Sequence, residues 1–428
     1  LPIAPDSLFD VLIQMLKLRS LPKLLLLIVF VMALVAVLLS KASVTAQTSP
    51  AQPTANLVAA KPARTEIRGV WITNVDSEVL FNRDRLNSAV DELAKLNFNT
   101  LYPTVWNWGY TQYPSAVAKA ATGANVDPRP IGLDDRDPLA ELVATGHKRG
   151  LAVIPWFEFG FMVPADSALA LRHPDWLTRR ANGKQVWQEG IWARVWLNPF
   201  KPEVQQFIQA LVLELVDNYD IDGIQMDDHF GLQYEFGYDD FTVALYRQEH
   251  QGKSPPIDAK DPAWIQWRAN KITQFTKQLF KAVKSRKENV LFTLSPNNYS
   301  FSLNHSLQDW HTWQQDGLIE ELILQVYRES LTSFKGELAT PEFQAARRRI
   351  PTAVGILTGL KEDGVPIARI REQVTTARQQ GFPGVSFFFY ETLWNLTQEP
   401  SNDRKAVFRS LFPTPIQRPN LKQGWTPG

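Results

Sequence analysis

Pro202-Glu-Val-Gln-Gln-Phe-Ile-Gln-Ala-Leu-Val-Leu-Glu-Leu-Val-Asp-Asn-Tyr-Asp-Ile-Asp-Gly-Ile-Gln-Met-Asp-Asp-His229 contains one complete helix–strand unit. The proline and Glu203 fit a first helical turn, where a missing N–H costs nothing and an acid meets the positive end of the helix dipole. Apolar residues recur at helical spacing to Tyr219, and a short buried strand follows at Asp222–Asp227. Working outward, the same pairing repeats. Strands are expected at Ile67–Thr73, Thr100–Trp106, Leu151–Glu158, Val290–Ser295, Leu322–Tyr327, Thr352–Leu357 and Val385–Tyr390. Helices are expected at Arg83–Leu96, Pro138–Arg149, Trp264–Lys284, Ser306–Gln315, Thr340–Arg349, Ile367–Gln380 and Arg404–Leu411. Strict alternation implies a parallel sheet with right-handed crossovers, and eight such units close into an α/β (β/α)8 TIM barrel. Leu151-Ala-Val-Ile-Pro-Trp-Phe and Val385-Ser-Phe-Phe-Phe-Tyr read as strands buried on both faces. Long connections follow strands two, three and four, on the face where barrels carry their function.

The barrel is expected over 65–413, with a C-terminal tail at 414–428. Ahead of it, Leu24–Leu39 is an unbroken apolar run preceded by Lys17, Arg19 and Lys23 and followed by Val44-Thr45-Ala46. That layout predicts a signal peptide or N-terminal membrane anchor over 1–46, and so an exported protein of the periplasm or cell envelope. Residues 47–64, rich in Ala, Thr, Gln and Pro, read as a flexible linker. Losing 1–46 removes four cations and two anions, which changes the net charge from +1 to −1. The charge balance and the lack of a basic stripe argue against a nucleic-acid partner. The chain has no cysteine, which excludes disulfides, thiol catalysis and cysteine metal sites.

In a barrel the reactive residues sit at the C-terminal ends of the strands. Here those ends offer Asn74, Asp76, Trp106, Glu158, Asp227, Asp228, His229, Asn297, Gln325, Tyr327 and Glu391. Carboxyls, amides and aromatic rings are what a sugar site needs: two carboxyls for the chemistry, amides for hydroxyls, flat rings for sugar faces. Asp227 is the expected central carboxylate. Glu158 and Glu391 are the alternatives for the acid/base, each beside aromatic residues that would raise its pKa. Asp228, His229, Trp106, Asn297, Gln325, Tyr327 and Trp394 are expected to bind substrate. Asp227-Asp228-His229 also allows a metal reading, as in a polysaccharide deacetylase. His305 and His311 are poorly spaced to complete such a site and HExxH is absent, so no cofactor or metal is expected.

Several stretches then carry a resemblance: Glu66-Ile-Arg-Gly-Val-Trp-Ile-Thr, Leu96-Asn-Phe-Asn-Thr-Leu-Tyr, Asp137-Pro-Leu with His147-Lys-Arg-Gly-Leu, His173-Pro-Asp-Trp-Leu, Leu197-Asn-Pro with Pro202-Glu-Val, and Tyr219-Asp-Ile-Asp-Gly-Ile-Gln-Met-Asp-Asp. Over roughly 66–395 the chain resembles the glycosyl hydrolase-like family 10, within the α-amylase-like barrels. The resemblance implies that Asp227 is the nucleophile or central carboxylate, with Asp228 beside it. It also implies an extracytoplasmic polysaccharide substrate, peptidoglycan glycan strands. Asn198 departs from the Asp of the family's "LDP" motif, and Glu158 stands where some relatives have Asn. The alternative from another class is a catalytically silent barrel that binds glycan.

Overall fold

The computed structural model describes residues 64–361, 363–421 and 425, so the expected export segment and the linker up to residue 63 lie outside the described residues. Eight parallel strands form a closed barrel. They are β1 (Ile67–Ile72), β2 (Thr100–Asn107), β3 (Ala152–Val153 and Trp156–Phe157), β4 (Gly223–Asp227), β5 (Leu291–Ser295), β6 (Glu321–Gln325), β7 (Thr352–Leu357) and β8 (Gly384–Phe388). The circle closes where β1 pairs with β8, Ile67 opposite Gly384 and Val70 opposite Phe387. On its other side β1 pairs with β2, so no edge of the barrel is left open.

Outside the strands lie α1 (Arg83–Lys95), α2 (Pro138–Lys148), α3 (Pro202–Asn218), α4 (Pro262–Arg286), α5 (Trp310–Gln315), α6 (Pro341–Arg347), α7 (Ile367–Gln379) and α8 (Ser401–Leu411). Their starts follow from sequence. Asn82, Asp137 and Asp261 each accept a backbone N–H of the first turn, and α2, α3, α4 and α6 open with proline. In α3 the residues Val204, Phe207, Ile208, Leu211, Val212, Leu215 and Val216 fall on one face and are buried. Each large one contributes about 1.5–3 kcal/mol through the water it sheds.

The structure departs from the expected elements in three places. The third strand is not continuous. Pro155 has no N–H to give, so the strand divides into two short pieces that both pair with β2. The helix expected at Ser306–Gln315 begins only at Trp310, and a separate helix, Tyr299–Ser306, precedes it and ends at Leu307, whose backbone is left-handed (φ 52°). The eighth strand stops at Phe388, and Tyr390–Trp394 is already helical.

Two additions surround the barrel. The connection after β3 holds a three-stranded antiparallel sheet of Met162–Pro164, Trp187–Glu189 and Trp192–Trp196. At the opposite end of the barrel, the segment beyond α8 lies against the strand starts. The Gln417 carbonyl accepts the Glu66 N–H (3.0 Å), and the Thr414 carbonyl accepts Arg68 Nη1 (2.7 Å). Arg418 Nη2 meets the buried Glu321 at 2.5 Å, while the Tyr102 hydroxyl donates to the other oxygen of Glu321 at 2.9 Å.

Candidate active site

Asp227 ends β4 at the C-terminal mouth, only 3% exposed. Its Oδ1 accepts Gln325 Nε2 from the end of β6 at 2.6 Å, and the same amide reaches the Ser295 carbonyl at 3.0 Å. Asp228 beside it is half-buried. Its Oδ2 accepts Asn297 Nδ2 (2.6 Å) and its Oδ1 lies 3.2 Å from His229 Nδ1. His229 Nδ1 also faces the Glu158 carbonyl oxygen at 3.1 Å. A carbonyl only accepts, so Nδ1 carries a hydrogen.

The Glu158 side chain comes in from β3. Its Oε2 accepts Asn107 Nδ2 at 2.8 Å and the Thr104 hydroxyl at 3.4 Å. Asn107 Nδ2 also donates to Asn74 Oδ1 (2.8 Å), which links the ends of β1, β2 and β3. Gly160 makes the turn after Glu158 possible. Its φ is +47°, and a Cβ there would lie 2.4 Å from the His229 carbonyl oxygen, so only glycine fits between the two loops.

Burial, with the nearby Asp228 charge added, pushes the Glu158 carboxyl up to about 8, against the pull of the Thr104 hydroxyl and the Arg194 cation. Asp227 is held well above the usual carboxylate range, first by burial and then by the charges of Asp228 and Glu158. Burial and the same three carboxyls raise Tyr327, so its hydroxyl remains a donor. Beneath them lies an aromatic floor: Trp71 and Trp156 have ring centres 6.3 Å apart and Phe388 is 6.1 Å from each. Trp71 Nε1 is fixed on Gln225 Oε1 at 2.7 Å. The site therefore offers protonated carboxyls, carboxylates oriented by amides and a phenolic donor over an apolar base. Acid/base and nucleophilic chemistry on a neutral, hydroxyl-rich molecule suits that set.

The Glycosyl hydrolase-like 10 family matches residues 66–376, from β1 through most of α7. The chain belongs to this family. It is 26% identical over 300 residues to the glycosyl hydrolase YngK of Bacillus subtilis (strain 168), covering 61% of this chain and 54% of that protein. To the glycosyl hydrolase DigH of Escherichia coli (strain K12) it is 25% identical over 295 residues, 61% of this chain and 62% of the relative. The chain thus spans little more than half the length of these relatives. Among solved structures, the glycoside hydrolase domain of PgaB (BpsB) from Bordetella bronchiseptica superposes with a TM-score of 0.61 at 14% identity, over 81% of this chain and 99% of that one. The catalytic domain of beta-amylase from Paenibacillus polymyxa gives 0.55 at 11% identity, over 82% and 99%. At these identities the two structures show a shared barrel fold.

The glycosyl hydrolase-like 10 span holds every member of the cluster from Asn74 to Tyr327, whereas Glu391 lies beyond it. Of the expected residues, the structure brings together Asp227, Asp228, His229, Glu158, Asn297, Gln325 and Tyr327. It does not bring Glu391 to them. Because β8 ends early, Glu391 sits in the following helix, held by the Ser77 hydroxyl (3.1 Å) and Asn395 Nδ2 (2.5 Å) in the wall of a neighbouring cleft. Trp106 is 0% exposed, with its ring against Phe207 and its N–H on the Gly160 carbonyl, and Trp394 packs against Phe408. Neither ring has a free face for a sugar. Exposed stacking surface is found instead at Trp192, 46% exposed, in a group with Trp108 and Phe159 around the Arg194 guanidinium.

Sequence reasoning had not singled out Thr104, Asn107 or Arg194. The register of β2 against β3 shifts between Thr104 and Trp106. This irregularity inverts the alternation of faces and sends Asn107, rather than Trp106, to the mouth. Asn198 proves to be a loop-structuring residue: its amide donates to Asp239 and to Thr242, both at 2.9 Å.

Proposed function

We propose that this chain is an exported glycoside hydrolase that cleaves cell-envelope polysaccharide, specifically peptidoglycan glycan strands. What supports the chemistry is that Glu158 and Asp227 share one mouth closely enough for the Glu158 charge to raise Asp227, while burial pushes Glu158 up to about 8. Glu158 gives its proton to the glycosidic oxygen as the bond to the anomeric carbon breaks. Asp227 attacks that carbon, and positive charge developing on the sugar ring favours its ionised form over the protonated one. Water then releases the sugar from Asp227, and Glu158 takes back a proton. Asn297 and Gln325 keep the two aspartates turned into the mouth, and Tyr327 donates to a substrate oxygen. Export is supported by the 24–39 run, which lies outside the described residues; among the described residues no helix is long and apolar enough to cross a membrane.

The test is release of soluble fragments from purified peptidoglycan, with and without its stem peptides, by the protein and by its Asp227→Asn variant. Release by the unsubstituted protein alone supports the proposal. If neither releases fragments while both sediment with the glycan, the silent binding barrel takes its place.

A second reading rests on geometry too: ligating atoms of Asp227, Asp228 and His229 lie within 4.8 Å of one another. These three residues would then hold a divalent ion. In that case the reaction is metal-dependent deacetylation. Acetate release abolished by a chelator and restored by zinc would support it; glycan cleavage indifferent to chelator would dismiss it.

A further inference from the structure

Beside the carboxyl cluster, over the ends of β8 and β1, lies a cleft of about 1100 Å³ whose walls include Ser77, Phe81, Ile131, Lys361, Glu391 and Asn395. Asn74, Asp76, Phe81 and Pro130 belong both to it and to a smaller cavity of about 350 Å³ that reaches Trp108 and Arg129. The two therefore adjoin along shared walls and together line a groove beside the site. Asn74 also ties it to the site, since its Oδ1 shares the Asn107 amide hydrogen-bonded to Glu158. The larger cleft alone lies at the top of the roughly 300–1,000 Å³ of an ordinary small-molecule pocket.

Its walls are built and fixed. Gly132 is pressed so closely on the Phe81 carbonyl that a Cβ would come within 2.1 Å of it, which holds the 130–132 loop as one side. Asp76 adopts a left-handed backbone (φ 53°) and meets Lys361 at 3.3 Å across the rim. Glu391 is buried yet keeps carboxyl capacity beyond its contacts to Ser77 and Asn395. Between these polar groups stand Phe81 and Pro130, with Ile131 95% exposed. Hydroxyl acceptors interleaved with flat apolar surface match the alternating O–H and C–H faces of a sugar chain. A single compact ion would be matched by free charges of one sign, whereas here Asp76 is paired with Lys361 and Glu78 with Arg85.

Resting on the hydrolase reading of the neighbouring site, we propose that this groove binds several consecutive sugar units of the polysaccharide beyond Glu158, with Glu391 a binding residue and not the acid/base. The chain is then gripped along its length while one internal linkage lies at Asp227.

The experiment measures binding of peptidoglycan glycan oligosaccharides of two, four and six sugars to the Asp227→Asn protein by calorimetry. Affinity is expected to rise by about tenfold from two sugars to six. Glu391→Gln and Lys361→Gln, each added to Asp227→Asn, are expected to remove most of that gain and leave two-sugar binding unchanged. Lys361 lies exposed at the rim, so its variant decides the matter if Glu391→Gln fails to fold. Affinity independent of length, no binding at all, or a length dependence untouched by both variants overturns the proposal. Failure of the hydrolase reading looks different: length-dependent binding persists, while the unsubstituted protein releases no fragments.

Discussion

A proton donor must hold its proton at working pH, and Glu158 does so because burial lifts it to about 8. Activity on glycan is therefore expected to fall as pH rises through about 8, tenfold per unit, and Glu158→Gln should lose both the rate and that alkaline limb. A rate profile flat to about pH 10 would remove Glu158 from the acid role. The same shift fixes the sign of a stability effect. Unfolded, the carboxyl loses its proton near its ordinary 4.5; folded, it keeps it to about 8. The stability is complete below 4.5 and is lost as pH climbs from there to about 8. Glu158→Gln, which cannot ionise, should melt a few degrees higher than the unsubstituted protein at about pH 9 and show no such advantage at about pH 4. Asp227, Asp228, Glu158, Asn297 and Gln325 were legible in the sequence from strand ends alone. Asn107 was not, because a two-residue period cannot reveal an irregularity between Thr104 and Trp106 that inverts it.

Among the elements, the antiparallel sheet after β3 depends most visibly on one side chain. Arg194 bonds Glu189 at 3.1 Å, and its guanidinium lies 4.9 Å from Trp108, 5.1 Å from Phe159 and 5.5 Å from Trp192. Arg194→Met should free the 187–192 turn, seen as earlier cleavage there in limited proteolysis. It also removes the cation that draws Glu158 downward, so the alkaline limb should move to higher pH. A limb that stays in place would mean that the cation does not act on Glu158. In sequence this sheet looked like an extended loop, since strands of three to five residues are too short to show a period. The eight barrel units were readable because long amphipathic helices with proline or Asx starts separate short apolar runs. Leu307, a left-handed leucine, gave no sign that one helix would end there and the next start only at Trp310, whereas Pro155 marked the break in β3 openly.

For the molecule as a whole, the far end of the barrel matters as much as the mouth. Glu321 is buried there between Arg418 and Tyr102. Arg418→Met leaves an uncompensated buried charge and should cost about 3–5 kcal/mol, measured by urea unfolding near neutral pH. A loss under about 1 kcal/mol would show that Tyr102 alone can satisfy Glu321. The segment that supplies Arg418 read as an uninformative tail, because its role comes from backbone carbonyls and one arginine reaching across 97 positions in sequence.

That closure joins the first strand to the last. A chain made from its N-terminus presents β1 with a bare edge until residues 384–388 arrive, and the strand starts stay uncovered until 414–418 follow. Synthesis thus keeps the barrel open until residues 384–418 have been made, and a polypeptide held open in this way can still be threaded through a narrow pore before it folds.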